Sequence, residues 1–288
     1  MESKKLLAKP LIKEIYANLK EEIETFASSP KLVILQIGDN PASEFYVQNL
    51  LKKSQKVGID AELKKFDTDI TQDQFLSEIK KLNEDENVHG IMLQKPFPKG
   101  FDDDVITEFI NPDKDVDGFH PTNLGKLMLG KDSFVPCTPQ AVLEMLRFYK
   151  IKTEGKHIVV LGRSNIVGKP LANLLLRKDE TGNATVTVCH SRTKDLKNIT
   201  MQADILIAAI GRARFVKNDM IKQNAVVIDV GVNLITEDGK DKYVGDVDFD
   251  GCYEKALLIT PVPKGVGSVT TSLLLKNVIK AYKLGLKK

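Results

Sequence analysis

Five short, continuous apolar runs in the second half of the chain limit its fold most strongly. They are "HIVVLG" at 157–162, "TVTVCH" at 185–190, "ADILIAAIG" at 203–211, "AVVIDVG" at 225–231 and "ALLITPVP" at 256–263. Runs this short, without polar alternation, are what the strands of a parallel sheet become when helices cover both faces. Helical segments such as "KPLANLLLRK" fill gaps between the earlier runs, and a hairpin-like "LITEDGKDKYVGD" precedes Val247. The first half has a looser version of the same rhythm. Leu11, Ile12, Ile15, Tyr16, Leu19 and Ile23 mark an amphipathic helix. "KLVILQIG" at 31–38 reads as a strand closed by Gly38-Asp39-Asn40-Pro41, and a second helix follows it. "AELKKFD" and "HGIMLQKPFP" flank a helix from Gln72 to Asn83, and a last helix runs from Thr270 to Leu286. Alternating helix and strand predicts a parallel α/β layout. Residues 111–139, rich in Pro, Gly and Asp, predict a long irregular loop or a domain crossing.

At 288 residues the chain is long enough for two domains, each with its own core. Its 42 basic and 39 acidic residues are too balanced to imply a nucleic-acid partner, although a small anionic ligand fits. Cys137, Cys189 and Cys252 are odd in number, far apart and outside any C-x-x-C spacing. They suggest neither a disulfide framework nor a metal site, and a reducing cytoplasm is the expected compartment. The N-terminus is charged throughout, and no stretch approaches the ~20 apolar residues that span a bilayer. Neither export nor membrane insertion is expected.

"VVLGRSNIVGKPLANLLL" sets Gly162, Ser164 and Gly168 between an apolar strand and a helix. Glycine permits a tight turn and close backbone approach, and the helix N-terminus offers free N–H groups to a phosphate. The match to G-x-G-x-x-G is incomplete, so an unliganded strand-to-helix turn is the competing explanation. The next strand ends in "CHSRT", where an NAD site wants a carboxylate for the ribose 2′-hydroxyl. Ser191 and Arg192 stand there instead. With Arg163 in the glycine turn, they suit a 2′-phosphate and predict NADP, unless both arginines are simply solvated surface cations.

In the first half, Tyr46, Gln94 and Asp117-Gly118 follow strands or lie in the long loop, where ligand-binding side chains of α/β folds gather. Taken singly they read as a packing tyrosine, a strand-end amide and a turn. Eight motifs change that: "GDNPAS...YV", "GIMLQKPFP", "NPDKDVDGFHP", "PCTP", "GRSNIVGKP", "DVGVN", "GDVDF" and "TPVPKGVGSVT". In this order, from about residue 4 to about residue 280, the chain resembles the methylenetetrahydrofolate dehydrogenase/cyclohydrolase family.

The resemblance implies an N-terminal α/β domain, residues 1–139, completed by a C-terminal helix at 268–288. Across a cleft it would face an NADP-binding Rossmann domain at 140–267. It implies oxidation of 5,10-methylenetetrahydrofolate to the methenyl cation, hydrolysis of that cation to 10-formyltetrahydrofolate, and a homodimer formed through the Rossmann domains. By position, Tyr46 would stack on the folate, Gln94 would lie beside the reacting centre and Asp117 would bond the pterin. Pro263, Gly265 and Gly267 would shape the loop between the two ligands. Gly162, Arg163, Ser164, Ile166, Ser191, Arg192 and Val232 would hold NADP. No metal is implied.

One position departs from the pattern. The family places a catalytic lysine four residues after the tyrosine, and here that residue is Leu50. Leucine neither donates nor accepts a proton, and such help is typically worth ~10²- to 10⁴-fold. Hydride transfer depends on positioning, so the expectation is an NADP-dependent dehydrogenase with weak or absent hydrolysis. One alternative keeps both activities by using Lys53, Lys95 or Lys264. Lys53 lies seven residues past Tyr46, about 20° from its direction on an ideal helix, although a snorkelling surface lysine would look the same. Another alternative is a non-catalytic dinucleotide-binding regulatory protein, against which the presence of Tyr46, Gln94 and Asp117 argues.

Overall fold

The structure is a computed structural model that describes residues 4–287, apart from the side chain of Ala42. The outermost positions of the expected boundaries, 1–3 and 288, lie outside the described residues. The first half comprises α1 (Ala8–Ile23), β1 (Lys31–Ile37), α2 (Pro41–Val57), β2 (Asp60–Phe66), α3 (Gln72–Glu84), β3 (Gly90–Gln94), α4 (Asp103–Phe109), α5 (Pro121–Met128) and α6 (Cys137–Phe148). The second half runs β4 (His157–Leu161), α7 (Gly168–Leu175), β5 (Thr185–Cys189), α8 (Leu196–Thr200), β6 (Ile205–Ala208), β7 (Val226–Asp229), β8 (Asn233–Glu237), β9 (Lys240–Val244), α9 (Phe249–Tyr253), β10 (Leu258–Ile259) and α10 (Thr270–Gly285). The chain divides into two compact units. One gathers residues 14–126 and 132–135 with the C-terminal helix from Thr271, and the other gathers the segment through Lys13, Leu127–Lys131 and Pro136–Thr270.

The first unit is built on a parallel sheet of order β2-β1-β3. Alternation sorts its two faces. Val33, Leu35, Ile37, Ile91 and Leu93 pack with Phe75 and Ile79 of α3 and Ile106 of α4. The α3 helix starts where it does because Thr71 and Gln74 form a capping box, and its Phe75, Ile79 and Leu82 recur at helical spacing. The other face carries Leu32, Ile34 and Gln36, in register with Gly90, Met92 and Gln94. On α2 the buried stripe is Ser43, Val47, Leu50, Ser54 and Val57. Asn277 of α10 donates to the Val116 carbonyl at 2.8 Å, tying that helix to the loop after β3.

Residues 111–139 are more regular than expected, since they hold α5 and the first residues of α6. The α5 helix is only eight residues long, with Gly125 inside it, and of its apolar residues only Leu127 is fully buried. That is too little for a periodic signal to stand out.

The second unit contains a parallel sheet of order β10-β7-β6-β4-β5 and an antiparallel β8-β9 hairpin. Val159, Leu161, Leu206, Ala208, Val227 and Ile259 share one core with Cys252 and Ala256. Coverage of both faces holds for the central strands and fails at β5, where Val188 is 37% exposed, because β5 is the sheet edge. Lys5 bridges Ile259 in parallel, so the N-terminal segment lies alongside β10. Among the described residues, no helix is long and apolar enough to cross a membrane, and no cluster of His, Cys, Asp or Glu has the makings of a metal site.

Candidate functional site

The chain turns sharply after β4. Gly162 has φ +128°, and a Cβ there would lie 2.2 Å from the Ala209 carbonyl oxygen; one on Gly168 would lie 2.0 Å from that of Gly162. Only glycine lets strand, turn and helix approach this closely. The Ser164 hydroxyl closes the turn by accepting the Val167 N–H at 3.1 Å. A cavity of about 290 Å³ opens over the ends of β4, β5 and β6, lined by Gly162, Arg163, Ser164, His190, Ser191 and Arg212, with Leu161, Cys189, Leu196, Ala209, Ile210 and Phe215 as the other walls. β4 has β5 on one side and β6 on the other, so the cavity sits at the topological switch point. Two arginines line it and no acidic residue does, which suits an anionic ligand.

Of the expected cofactor residues, Gly162, Arg163, Ser164 and Ser191 meet in this cavity, and Ile166, Arg192 and Val232 do not line it. Arg192 uses its backbone N–H on His190 Nδ1 at 3.1 Å. Val232 instead meets Gly267, whose Cβ, if present, would lie 3.4 Å from Val232 Cγ2. Arg212 is a further lining residue outside the expected set. It sits just past β6 in "AAIGR", with its guanidinium 4.5 Å from the Phe215 ring centroid. A cation directly after an apolar run and a glycine was the available signal.

Two buried aspartates hold the loops around this cavity. The Asp246 carboxylate accepts the N–H groups of Ile210, Gly211 and Arg212 at 2.6, 3.0 and 2.8 Å, and Asn233 Nδ2 at 2.9 Å. Asp229 accepts the N–H groups of Gly231, Asp246 and Val247 at 3.0, 2.9 and 2.8 Å. Gly231 and Gly245 are required by this packing, because Cβ atoms there would overlap the two carboxylates. Burial pushes Asp229 up to about 7 in spite of its backbone donors. "DVGVN" and "GDVDF" are therefore an internal staple.

In the first unit, Gln94 ends β3 and meets the first turn of α2. Its Nε2 donates to Ser43 Oγ at 3.3 Å and to the Lys95 carbonyl at 2.8 Å, and its buried Oε1 has no partner among the described residues. Asp117 lies alongside, bonded by the Leu93 N–H; burial first, and then the charge of Asp115, push its carboxyl up to about 7. Asp115 itself is spent on the loop, accepting from Gly118, Phe119 and His120 N–H and from Asn123 Nδ2. Tyr46 is half-buried on α2 and Leu50 is fully buried.

The three candidate lysines differ. Lys53 is half-buried and forms no salt bridge among the described residues, and burial, then Lys56, lower its pKa. Lys95 pairs with Asp103 at 2.9 Å and lies over the Phe97 ring. Lys264 is exposed with φ +83°. In the same loop Pro263 is exposed, and a Cβ on Gly265 would come 2.3 Å from the Pro261 carbonyl oxygen.

A glycine turn, a basic cavity at the switch point and a parallel sheet together define a nucleotide-binding α/β protein. Residues 136–285 match the tetrahydrofolate dehydrogenase/cyclohydrolase NAD(P)-binding domain, and residues 6–117 match the catalytic domain of the same family. The chain belongs to the tetrahydrofolate dehydrogenase/cyclohydrolase family. The bifunctional protein FolD of Alkaliphilus oremlandii is 50% identical over 283 residues, 97% of each chain. The crystal structure of the bifunctional enzyme FolD from Campylobacter jejuni is 44% identical with a TM-score of 0.91, covering 97% of this chain and 98% of that one. The Trypanosoma brucei enzyme, solved with NADP and an inhibitor, is 35% identical with a TM-score of 0.92 over the full length of both chains. This membership sets aside the non-catalytic alternative.

Proposed function

We propose that this chain oxidises 5,10-methylenetetrahydrofolate with NADP and hydrolyses the methenyl product to 10-formyltetrahydrofolate, the second step using groups other than residue 50. The observation that carries the cofactor is the cavity lined by Arg163, Ser191 and Arg212 without a carboxylate. A 2′-phosphate suits that lining better than a ribose diol does. NADP supplies the hydride acceptor; the chain's own contribution is to hold the reactants in register. On the folate side, Tyr46 would stack, Gln94 would face the reacting carbon and Asp117 would accept pterin N–H groups.

The names of the relatives favour both activities over the expectation of weakened hydrolysis. A dehydrogenase alone is the second reading, and a single observation favours it: Leu50 is 0% exposed and apolar. Of the candidate cations, Lys95 is paired with Asp103, and Lys53, which lies on the same helix as Leu50, starts about 4.5 Å farther along the axis. We also propose a homodimer formed through the NADP-binding half, whose β5 edge is open for pairing.

The test is to assay the two half-reactions separately on one preparation. NADP reduction with methylenetetrahydrofolate is expected, followed by loss of the methenyl product faster than in buffer. Lack of NADP reduction would defeat the proposal, and oxidation with methenyl product accumulating would favour the second reading.

A further inference from the structure

Gln36 is the next-to-last residue of β1 and Gln94 the last of β3, and the two are register partners in adjacent parallel strands. Register partners point to the same side of a sheet, and the Ser43 contact shows that this is the α2 side. Gln36 Nε2 donates to the Gly38 carbonyl at 2.9 Å, as Gln94 Nε2 does to the Lys95 carbonyl at 2.8 Å. A carbonyl can only accept, so each amide is held with its NH₂ on the backbone and its oxygen turned away. Both Oε1 atoms are buried, and neither has a hydrogen-bond partner among the described residues. Two buried acceptors side by side call for a donor with two hydrogens.

Strand spacing is compatible with a shared water. Neighbouring strands lie about 4.8 Å apart. A water molecule that donates two hydrogen bonds of ~2.8 Å spans acceptors about 4.5 Å apart. We propose that Gln36 and Gln94 hold one water between their carboxamide oxygens, and that this water is the nucleophile of the hydrolysis. The inference rests on the bifunctional reading above. With both hydrogens engaged, the lone pairs of the water face away from the two amides. In the reaction its oxygen bonds to the methenyl carbon and one proton leaves to solvent. The hydroxyl proton of the adduct then passes to N5 as the carbon–N5 bond breaks, giving the formyl product and one released proton. The amides take no proton, so Gln36 is a positioning residue, and the step proceeds without an ammonium at position 50.

Gln36→Leu and Gln36→Glu test this, with hydrolysis and oxidation measured on each and a high-resolution crystal structure of the wild type. Gln36→Leu is expected to lower the ratio of hydrolysis to oxidation by at least about tenfold. Gln36→Glu, which keeps an acceptor but loses the donor to the Gly38 carbonyl, should restore part of that ratio and add a pH dependence. The crystal structure should show a water within hydrogen-bond distance of both oxygens. A parallel fall of both activities, an unchanged ratio, or two oxygens that share no water each overturn the inference. Wild-type protein that oxidises without hydrolysing also overturns it but leaves the dehydrogenase standing, whereas a protein with neither activity defeats the reading beneath it. If Gln36→Leu does not fold, the Gln36→Glu ratio and the wild-type water decide.

Discussion

Leu50→Lys is the perturbation that asks most of this fold. α2 returns antiparallel to β1, and position 50 lies seven residues, about 10.5 Å, along the axis from Ser43, which touches Gln94. Side chains on a helix lean toward its N-terminus, so the four-carbon stem of a lysine at 50 points back toward Gln94. There Gln94 Oε1, with two lone pairs, can accept from the ammonium beside the proposed water. Leu50 is fully buried, and losing its packing costs up to ~1.5–3 kcal/mol, less whatever the lysine stem still buries. Desolvation would also lower the pKa of the new lysine, making it a better base near neutrality. The expected result is a folded, somewhat less stable enzyme whose hydrolysis rises by ~10²- to 10⁴-fold while oxidation changes little. Thermal melts and paired assays of the two half-reactions measure this, with Leu50→Met as the volume-matched control. A folded Leu50→Lys protein with normal oxidation and unmoved hydrolysis would refute the claim that position 50 limits proton transfer.

Removing either cavity arginine, as Arg163→Ala or Arg212→Ala, deletes a charge-assisted contact worth ~1.5–3 kcal/mol and should weaken NADP binding by roughly 10- to 100-fold. NAD binding should suffer less, which calorimetry with both cofactors checks. Asp246→Ala strands three backbone donors and one side-chain donor. At ~1–3 kcal/mol for each group left unpaired, with partial relaxation, denaturant unfolding should show a loss of roughly 3–5 kcal/mol. Asp117, raised to about 7, binds its proton more tightly when folded than when unfolded. Its contribution to stability is therefore complete below its ordinary value and is lost as pH rises through about 7. An ionised carboxylate is the stronger acceptor for pterin N–H groups, so the folate KM should fall as pH rises through that range, and Asp117→Asn should remove the inflection.

The alternating layout, both sheets and the glycine turn were legible because continuous apolar runs and a Gly-flanked strand end reflect burial directly. α5 was not, since eight residues with little buried apolar surface carry almost no periodicity. In the candidate site, sequence position found Gly162, Arg163, Ser164 and Ser191, which follow the strand ends by fixed offsets. It missed Arg212, because the glycine-rich turn draws attention to β4 while β6 contributes from the other side of the switch point. It also missed Gln36, which reads as one polar residue in an apolar strand until the register brings Gln94 beside it.

The same logic separates motifs that touch ligands from motifs that hold loops. Asp115, Asp229 and Asp246 sit in the acidic motifs that look most reactive in the sequence, yet each is 0–3% exposed and engaged with backbone N–H groups. Asp117 differs from Asp115 by two residues and has one backbone donor to its carboxyl, the Leu93 N–H, which leaves it acceptor capacity for a ligand. On the proposed function, oxidation depends on Asp229 and Asp246, which hold Arg212 and the loops past β6 and β7. Hydrolysis needs, in addition, a held water and a path for its proton, and these depend on the layer between β1, β3 and α2. A single apolar residue there, Leu50, can thus change one activity while leaving the geometry of the other intact.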